Sequence, residues 1–267
     1  MPKIPQDYQP LIGEPLNNEP NIIQAQAIST NQSVNHELTI ITADTSLETR
    51  QTFIRKVYSI LWVQLLVTSI FIGCCNQIKP LQTFMMSSVG SMIMIFCMMG
   101  VLALTCCLYC FRDVVRKCPG NFIFLTIFTA SMTYMIGSAG IVYKLSTLLL
   151  AGLSTLGIFS GLSLYAIQTK YDYTDKGGYL LTCLLGFIIF GFFISFTHYS
   201  FASIVYSSIG SLIFSFYIVY DTQLIVGGKH RNIMFHTDDY VIAAISLYLD
   251  IVNLFLMLLD FLSGSRN

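Results

Sequence analysis

Two aspartates lie inside stretches long and apolar enough to cross a membrane: Asp221 in SFYIVYDTQLI and Asp250 in AISLYLDIVNLFL. A carboxylate in hydrocarbon is expensive, so such a group faces protein interior or water and marks a functional site. Two on consecutive apolar segments say more than one. If they face each other they cannot both ionise easily, and the pair should titrate as a unit, above the ordinary Asp range. That is the chemistry of a pH-sensitive polar constriction in a membrane pore. Two other roles fit the same residues: a pair of catalytic carboxylates, and a pair of buried polar groups that lock helix packing.

The residues around the pair separate these roles. Asp250, Asn253 and Asp260 fall near one helical face, because three and seven residues are close to whole turns. Asn253 is placed to donate to Asp250. Tyr217, one turn before Asp221, is placed to do the same for that carboxylate. Intramembrane aspartyl proteases also use two aspartates on adjacent spans, one in a Tyr-Asp motif, and Tyr220–Asp221 meets that half. The other half requires GxGD, and here Leu247, Tyr248, Leu249 and Asp250 stand there, so both glycines are absent. No serine or cysteine triad is apparent: His198, His230 and His236 fall at loops. The sequence therefore argues against an enzyme. A tight calcium site wants six to eight oxygens. Two carboxylates, Asn253, hydroxyls and water would make a weak, transient one, and conduction requires weak binding. Losing the negative charge by protonation should loosen any closed arrangement that depends on it.

The elements that position these groups are helices. The chain has 267 residues, 54% hydrophobic and 10% charged, with a mean hydropathy of +0.67. Soluble domains carry about a quarter charged residues, so this is an integral membrane protein and its first partner is the lipid bilayer. Net charge is zero, and no basic patch supports nucleic-acid binding. Residues 1–46 form a polar tail that holds five of the seven prolines, a composition that predicts disorder. The first apolar run begins near Val57, too late for a signal-peptide core. A span needs about 20 apolar residues, and residues 47–267 contain seven, at 57–77, 84–110, 121–143, 147–168, 179–197, 201–226 and 241–262. The predicted fold is an all-α, seven-transmembrane bundle. A cytosolic N-terminus puts eleven basic residues on that side, from Lys3 to Arg231, and leaves three opposite, Lys79, Lys144 and Arg266. The positive-inside rule then sets the N-terminus in the cytosol. Asp221 would lie within ~10 Å of the cytosolic boundary and Asp250 ~15 Å deep.

Small residues predict close helix contacts in lipid. Gly157 and Gly161 form a GxxxG on the fourth span, and Ser207, Ser208, Gly210, Ser211 and Ser215 line the sixth; ordinary packing within the bundle accounts for both. The eight cysteines lie mostly in or beside spans. Cys107 and Cys110 have CxxC spacing but lack the further ligands that a zinc site needs, so apolar packing is the expected role. Cys106, Cys107, Cys110 and Cys118 also sit near one membrane face, where S-palmitoylation occurs. No cofactor is implied.

Five segments then carry a resemblance: TFIRKVYSILWVQLLVT at 52–68, VRKCPGNFIFLTIFT at 115–129, AIQTKYDYT at 166–174, IFSFYIVYDTQLIVGGKH at 213–230 and DDYVIAAISLYLDIVNLFLMLL at 238–259. The chain resembles the lifeguard branch of the transmembrane Bax-inhibitor-motif family along essentially its whole length beyond the tail. The resemblance implies six helices around a short central seventh. It implies a pH-sensitive calcium leak from internal stores and a role in restraining cell death and stress signalling. It assigns the pH sensor to the positions of Asp221 and Asp250, and a latch to an arginine at the cytosolic end of the second span, here Arg112, with Arg116 the other candidate. Calcium would be the permeant ion, and membrane proteins of cell-death control the protein partners. The endoplasmic reticulum or Golgi is the implied location. Asp7–Ile12 also matches adaptor signals for endosomes and lysosomes, and the Asn31 glycosylation sequon would be idle on the cytosolic side. A non-conducting regulator of apoptosis and a proton-coupled transporter are the alternatives; an inverted repeat would favour the transporter, and none is visible.

Overall fold

A computed structural model describes residues 22–110, 120–196, 200–227, 235–236 and 238–264. It divides into two units, Met1–Glu48 and Thr49–Asn267. In the first, the backbone from Ile22 onward is helical, although its composition predicts disorder. The second carries the apolar bundle. The helices are α1 (Ile22–Gln77), α2 (Lys79–Met86), α3 (Ser88–Cys110), α4 (Gly120–Gly140), α5 (Leu145–Gln168), α6 (Gly177–Ile194), α7 (Ser200–Val226) and α8 (Tyr240–Gly264), with a 3₁₀ turn at Thr174–Lys176 before α6. Among the described residues there is no strand.

Seven of these helices are long and apolar enough to cross a membrane, the first counted from Glu48. They match the seven predicted spans with two adjustments. The first span begins earlier than residue 57, because the helix runs unbroken through Arg50, Arg55 and Lys56. The second starts at Ser88 rather than 84. Pro80 opens α2 in its first turn, where a missing N–H costs nothing. Ser87 then breaks the helix: its backbone N–H and its hydroxyl both turn back to the Phe84 carbonyl. Gly90 makes the corner possible, since a Cβ there would collide with the carbonyls of Phe84 and Met85.

The seventh span is the central one. In α8, 61% of the most apolar stretch is buried, against 6–33% for the other spans. It packs on α7, α5 and α4. At 25 residues it has full crossing length, so the expected short central helix is corrected on length and upheld on position. Its core residues include Ile245, Leu247, Tyr248 and Leu254, all fully buried. On the face opposite Asp250, polar groups tie α8 to α1 and α4. The Thr68 hydroxyl meets those of Tyr248 (2.9 Å) and Thr133 (3.0 Å). One turn earlier, the Gln64 side-chain amide donates to Thr129 Oγ1 at 2.9 Å. Buried hydroxyls and amides demand such partners, and here they fix the register of three helices.

The small residues divide. At Gly210 on α7, a Cβ would come within 2.6 Å of both Met257 on α8 and Phe187 on α6, so α7 does approach its neighbours closely there. The expectation for α5 is corrected: Gly157 and Gly161 have nothing within 4 Å of a Cβ, so the GxxxG faces outward and plays no part in packing the bundle. The serines of α7 also look inward on their own helix. Ser207, Ser208, Ser211 and Ser215 each donate to a carbonyl four residues earlier, at 2.7–2.9 Å.

Candidate functional site

Asp221 sits in the second-last turn of α7, and Asp250 sits ten residues into α8. The extensive packing of these two helices sets both carboxyl groups in the wall of one cavity, close enough to act on each other. Each residue is 7% exposed. Asp250 Oδ2 is buried with no hydrogen-bond partner among the described residues. Two carboxylates near each other and out of water cannot both carry full charge without a large repulsion, so the charge on one constrains the charge on the other.

The pair lines a cavity of about 580 Å³ at one end of the bundle, with walls from α3, α6, α7 and α8 and the segment before α8. Tyr217 and Asn253 line it too, so these four polar residues share one chamber. Their hydrogen bonds differ from expectation at Asn253. Its amide donates to the Leu249 carbonyl at 2.8 Å, one turn back on its own helix, rather than to Asp250. Asn side chains within a helix readily bond the backbone carbonyl one turn back. The Tyr217 ring packs against Phe214 and Tyr220. Asp260 faces α7 rather than water: the Ser203 hydroxyl donates to its Oδ2 at 2.8 Å. Arg112 and Arg116 lie outside the described residues, as do His198 and His230 and the Asp7–Ile12 segment. The described cysteines, Cys106 and Cys107 among them, are free thiols.

Sequence reasoning passed over three residues at this site. Asp239, just before the seventh span, is buried and lines the cavity. It precedes α8, where its carbonyl accepts from Ala243 N–H at 2.9 Å and where an acidic group suits the helix dipole. Among the described residues, the cavity thus has three carboxylates in its wall and no Lys, Arg or His. Among the described residues, no three acidic, His or Cys side chains converge as a metal cage. The other two are Arg50 and Phe235. The Arg50 guanidinium donates to the carbonyls of Leu224 (2.6 Å), Val226 (3.2 Å) and Phe235 (2.7 Å). It stands over the Phe53 ring at 4.8 Å. Phe235 N–H returns to the Leu224 carbonyl at 3.1 Å. Gly227 ends α7 with φ +62, the left-handed cap that glycine adopts freely. Leu224 and Phe235 are themselves cavity walls, so Arg50 fastens two walls at once, one turn from Asp221. Its charge counted only toward orientation in the sequence; nothing there shows that it reaches α7, 174 residues away.

A second fastening lies on the other side of Asp221. Gln223 is fully buried. Its side-chain carbonyl accepts from Tyr173 N–H at 2.8 Å, and its amide donates to the Tyr171 carbonyl at 3.0 Å. The loop between α5 and α6 is thereby bound to the turn that carries Asp221. The Tyr220 ring seats on Gly177 at the start of α6, where a Cβ would strike its hydroxyl.

Comparison with known sequences places the chain. The family described as "Inhibitor of apoptosis-promoting Bax1" matches residues 50–267, which is the bundle with Arg50 at its first position. The chain belongs to this Bax-inhibitor family. Within it, the chain falls in the lifeguard branch. It is 31% identical to Protein lifeguard 3 of Homo sapiens over 226 residues, 82% of this chain and 70% of that protein. It is 37% identical to Protein lifeguard 4 of Mus musculus over 227 residues, 83% and 89% of the two chains. As a Bax-inhibitor family member it is a multi-pass integral membrane protein whose seven apolar helices call for a lipid bilayer.

Proposed function

We propose that this lifeguard-branch protein is a pH-sensitive calcium-leak channel of intracellular membranes, the endoplasmic reticulum or Golgi, which serves calcium homeostasis and restrains cell death without catalysing a reaction. The description of its family, as inhibitors of apoptosis-promoting Bax1, supports the cell-death role. The observation that supports the channel reading is the buried proximity of Asp221 and Asp250 in the wall of a cavity whose described lining holds three carboxylates and no cation. Asp221 and Asp250 are the sensor and gate, and they give a passing calcium ion weak, transient ligands. Tyr217 and Asn253 are the polar support, and Arg112 is the latch. The N-terminus is cytosolic. Two charged carboxylates ~4 Å apart repel by about 4 kcal/mol at an effective dielectric of 20. A pH change that alters their shared charge therefore changes the helix arrangement by an energy comparable to a gating equilibrium.

The test is calcium flux through purified protein in liposomes across pH 5–8, for the wild type and the Asp221→Asn/Asp250→Asn double variant. The expected result is a wild-type flux whose pH dependence disappears in the double variant. Folded wild-type protein that passes no calcium above empty liposomes at any pH would overturn the channel and leave the non-conducting regulator, acting through membrane-protein partners. Proton movement coupled to a solute would point to the transporter.

A further inference from the structure

Two adjoining cavities lie between α1 and α4, away from the carboxylate chamber. One is about 480 Å³ and the other about 440 Å³. They share Ser59, Ile60 and Phe122, so they form one groove along the two helices. α1 lines it with a single stripe at three- and four-residue spacing. The first part of the stripe is Thr52, Arg55, Lys56 and Ser59. The second is Ile60, Val63, Gln64 and Val67. One end of the groove is therefore cationic and hydroxylated, and the rest is apolar apart from Thr126 and the Gln64–Thr129 pair at its floor. From Arg55 to Val67 the rise is ~18 Å, close to the ~15 Å of one leaflet's hydrocarbon plus the headgroup boundary.

Cations dominate the described lining of the mouth. Arg55 and Lys56 are exposed, and among the described residues neither cavity is lined by an Asp or Glu. Lys56 Nζ lies 5.4 Å over the Tyr240 ring, which holds it at the mouth. Phe122 is in the first turn of α4, so the positive end of that helix dipole points the same way. The apolar walls are open to the membrane: Val63 is 57% and Phe122 50% exposed.

We propose that this groove is a binding site for an anionic glycerophospholipid, with its phosphate on Arg55 and Lys56 and one acyl chain laid along α1 and α4. Thr52 and Ser59 offer hydroxyls to the headgroup and glycerol region. Tyr240, the first residue of α8, is a wall of the mouth, so the headgroup sits against the start of the helix that carries Asp250. The site requires neither calcium conduction nor the aspartate pair.

The test is native mass spectrometry of the full chain in neutral detergent, titrated with phosphatidylserine, phosphatidylcholine or inorganic phosphate. Phosphatidylserine should bind in preference to phosphatidylcholine, and inorganic phosphate should not bind. Arg55→Gln/Lys56→Gln should weaken phosphatidylserine binding about thirtyfold, equivalent to about 2 kcal/mol at about 1 kcal/mol per basic residue and 1.4 kcal/mol per tenfold. Val63→Trp, which fills the apolar part and leaves both cations, should weaken it too. Lys170→Gln, an exposed basic residue outside the groove, should leave it unchanged. Equal binding of the two lipids, or equal loss with Lys170→Gln, would overturn the site in favour of diffuse attraction. Full affinity in Val63→Trp would overturn the acyl-chain placement, and binding of inorganic phosphate with the same variant profile would make it a phosphate site instead. The single variants Arg55→Gln and Lys56→Gln, checked for native helicity, decide the question if the double variant does not fold.

Discussion

Arg50→Gln should destabilise the bundle by about 3 kcal/mol. The guanidinium makes three bonds to backbone carbonyls at 2.6–3.2 Å. The Leu224 carbonyl keeps Phe235 N–H as a donor, so its loss is small. Those of Val226 and Phe235 lose a charged donor at a half-buried position, where a forfeited bond costs about 1 kcal/mol each, toward the low end of the range for an unsatisfied group. Removing a cation from the C-terminus of α7 adds about 0.5–1 kcal/mol. For a chain of this size, 1 kcal/mol moves the melting temperature by about 2–4 °C, so the variant should melt about 6–12 °C below wild type. Arg50→Lys keeps the charge and loses the planar fork, and should recover only about a third of the difference. The assay is the thermal loss of helical ellipticity in detergent, for protein verified as monodisperse. A melt within about 2 °C of wild type for Arg50→Gln, or full rescue by Arg50→Lys, would refute the claim that geometry at three carbonyls, rather than charge alone, holds this end of α7.

Gly210→Leu should destabilise by about 1–3 kcal/mol through overpacking against Met257 and Phe187, read as a lower melting temperature, whereas Gly157→Leu on the outward face of α5 should change it little. Gln223→Leu should leave Tyr173 N–H without the Gln223 acceptor, and hydrogen exchange at that amide should accelerate at least about fivefold if the bond contributes the usual ~1 kcal/mol or more. Thr68→Val should cost more than Tyr248→Phe, because the Thr68 hydroxyl serves Tyr248, Thr133 and the Gln64 carbonyl together; the two melts compared directly decide this.

The spans were legible because a membrane-crossing helix is written in long apolar runs, and Pro80 with Ser87 and Gly90 marks where one run bends. The site was half legible. Asp221, Asp250, Tyr217 and Asn253 announce themselves by polarity inside hydrocarbon. The direction of the Asn253 amide did not, because a side chain four residues from a carbonyl on its own helix has a choice that only the packing resolves. Arg50 and Asp239 were hidden for another reason. Each sits at the end of an apolar span, where charge is ordinary, and only the tertiary fold shows that one grips α7 and the other enters the chamber. The outward-facing Gly157 and Gly161 show that small-residue spacing identifies a face able to pack closely without saying what it packs on.

The Gln223 side chain has a mechanical consequence. Its two bonds span from α7 to the backbone at Tyr171 and Tyr173, and it stands two residues after Asp221. A displacement of that loop is therefore delivered as a torque on the very turn that holds the carboxylate, with no intervening side chains to absorb it. The loop, carrying Tyr171 at 54% exposure, acts as a lever whose short arm ends at Asp221.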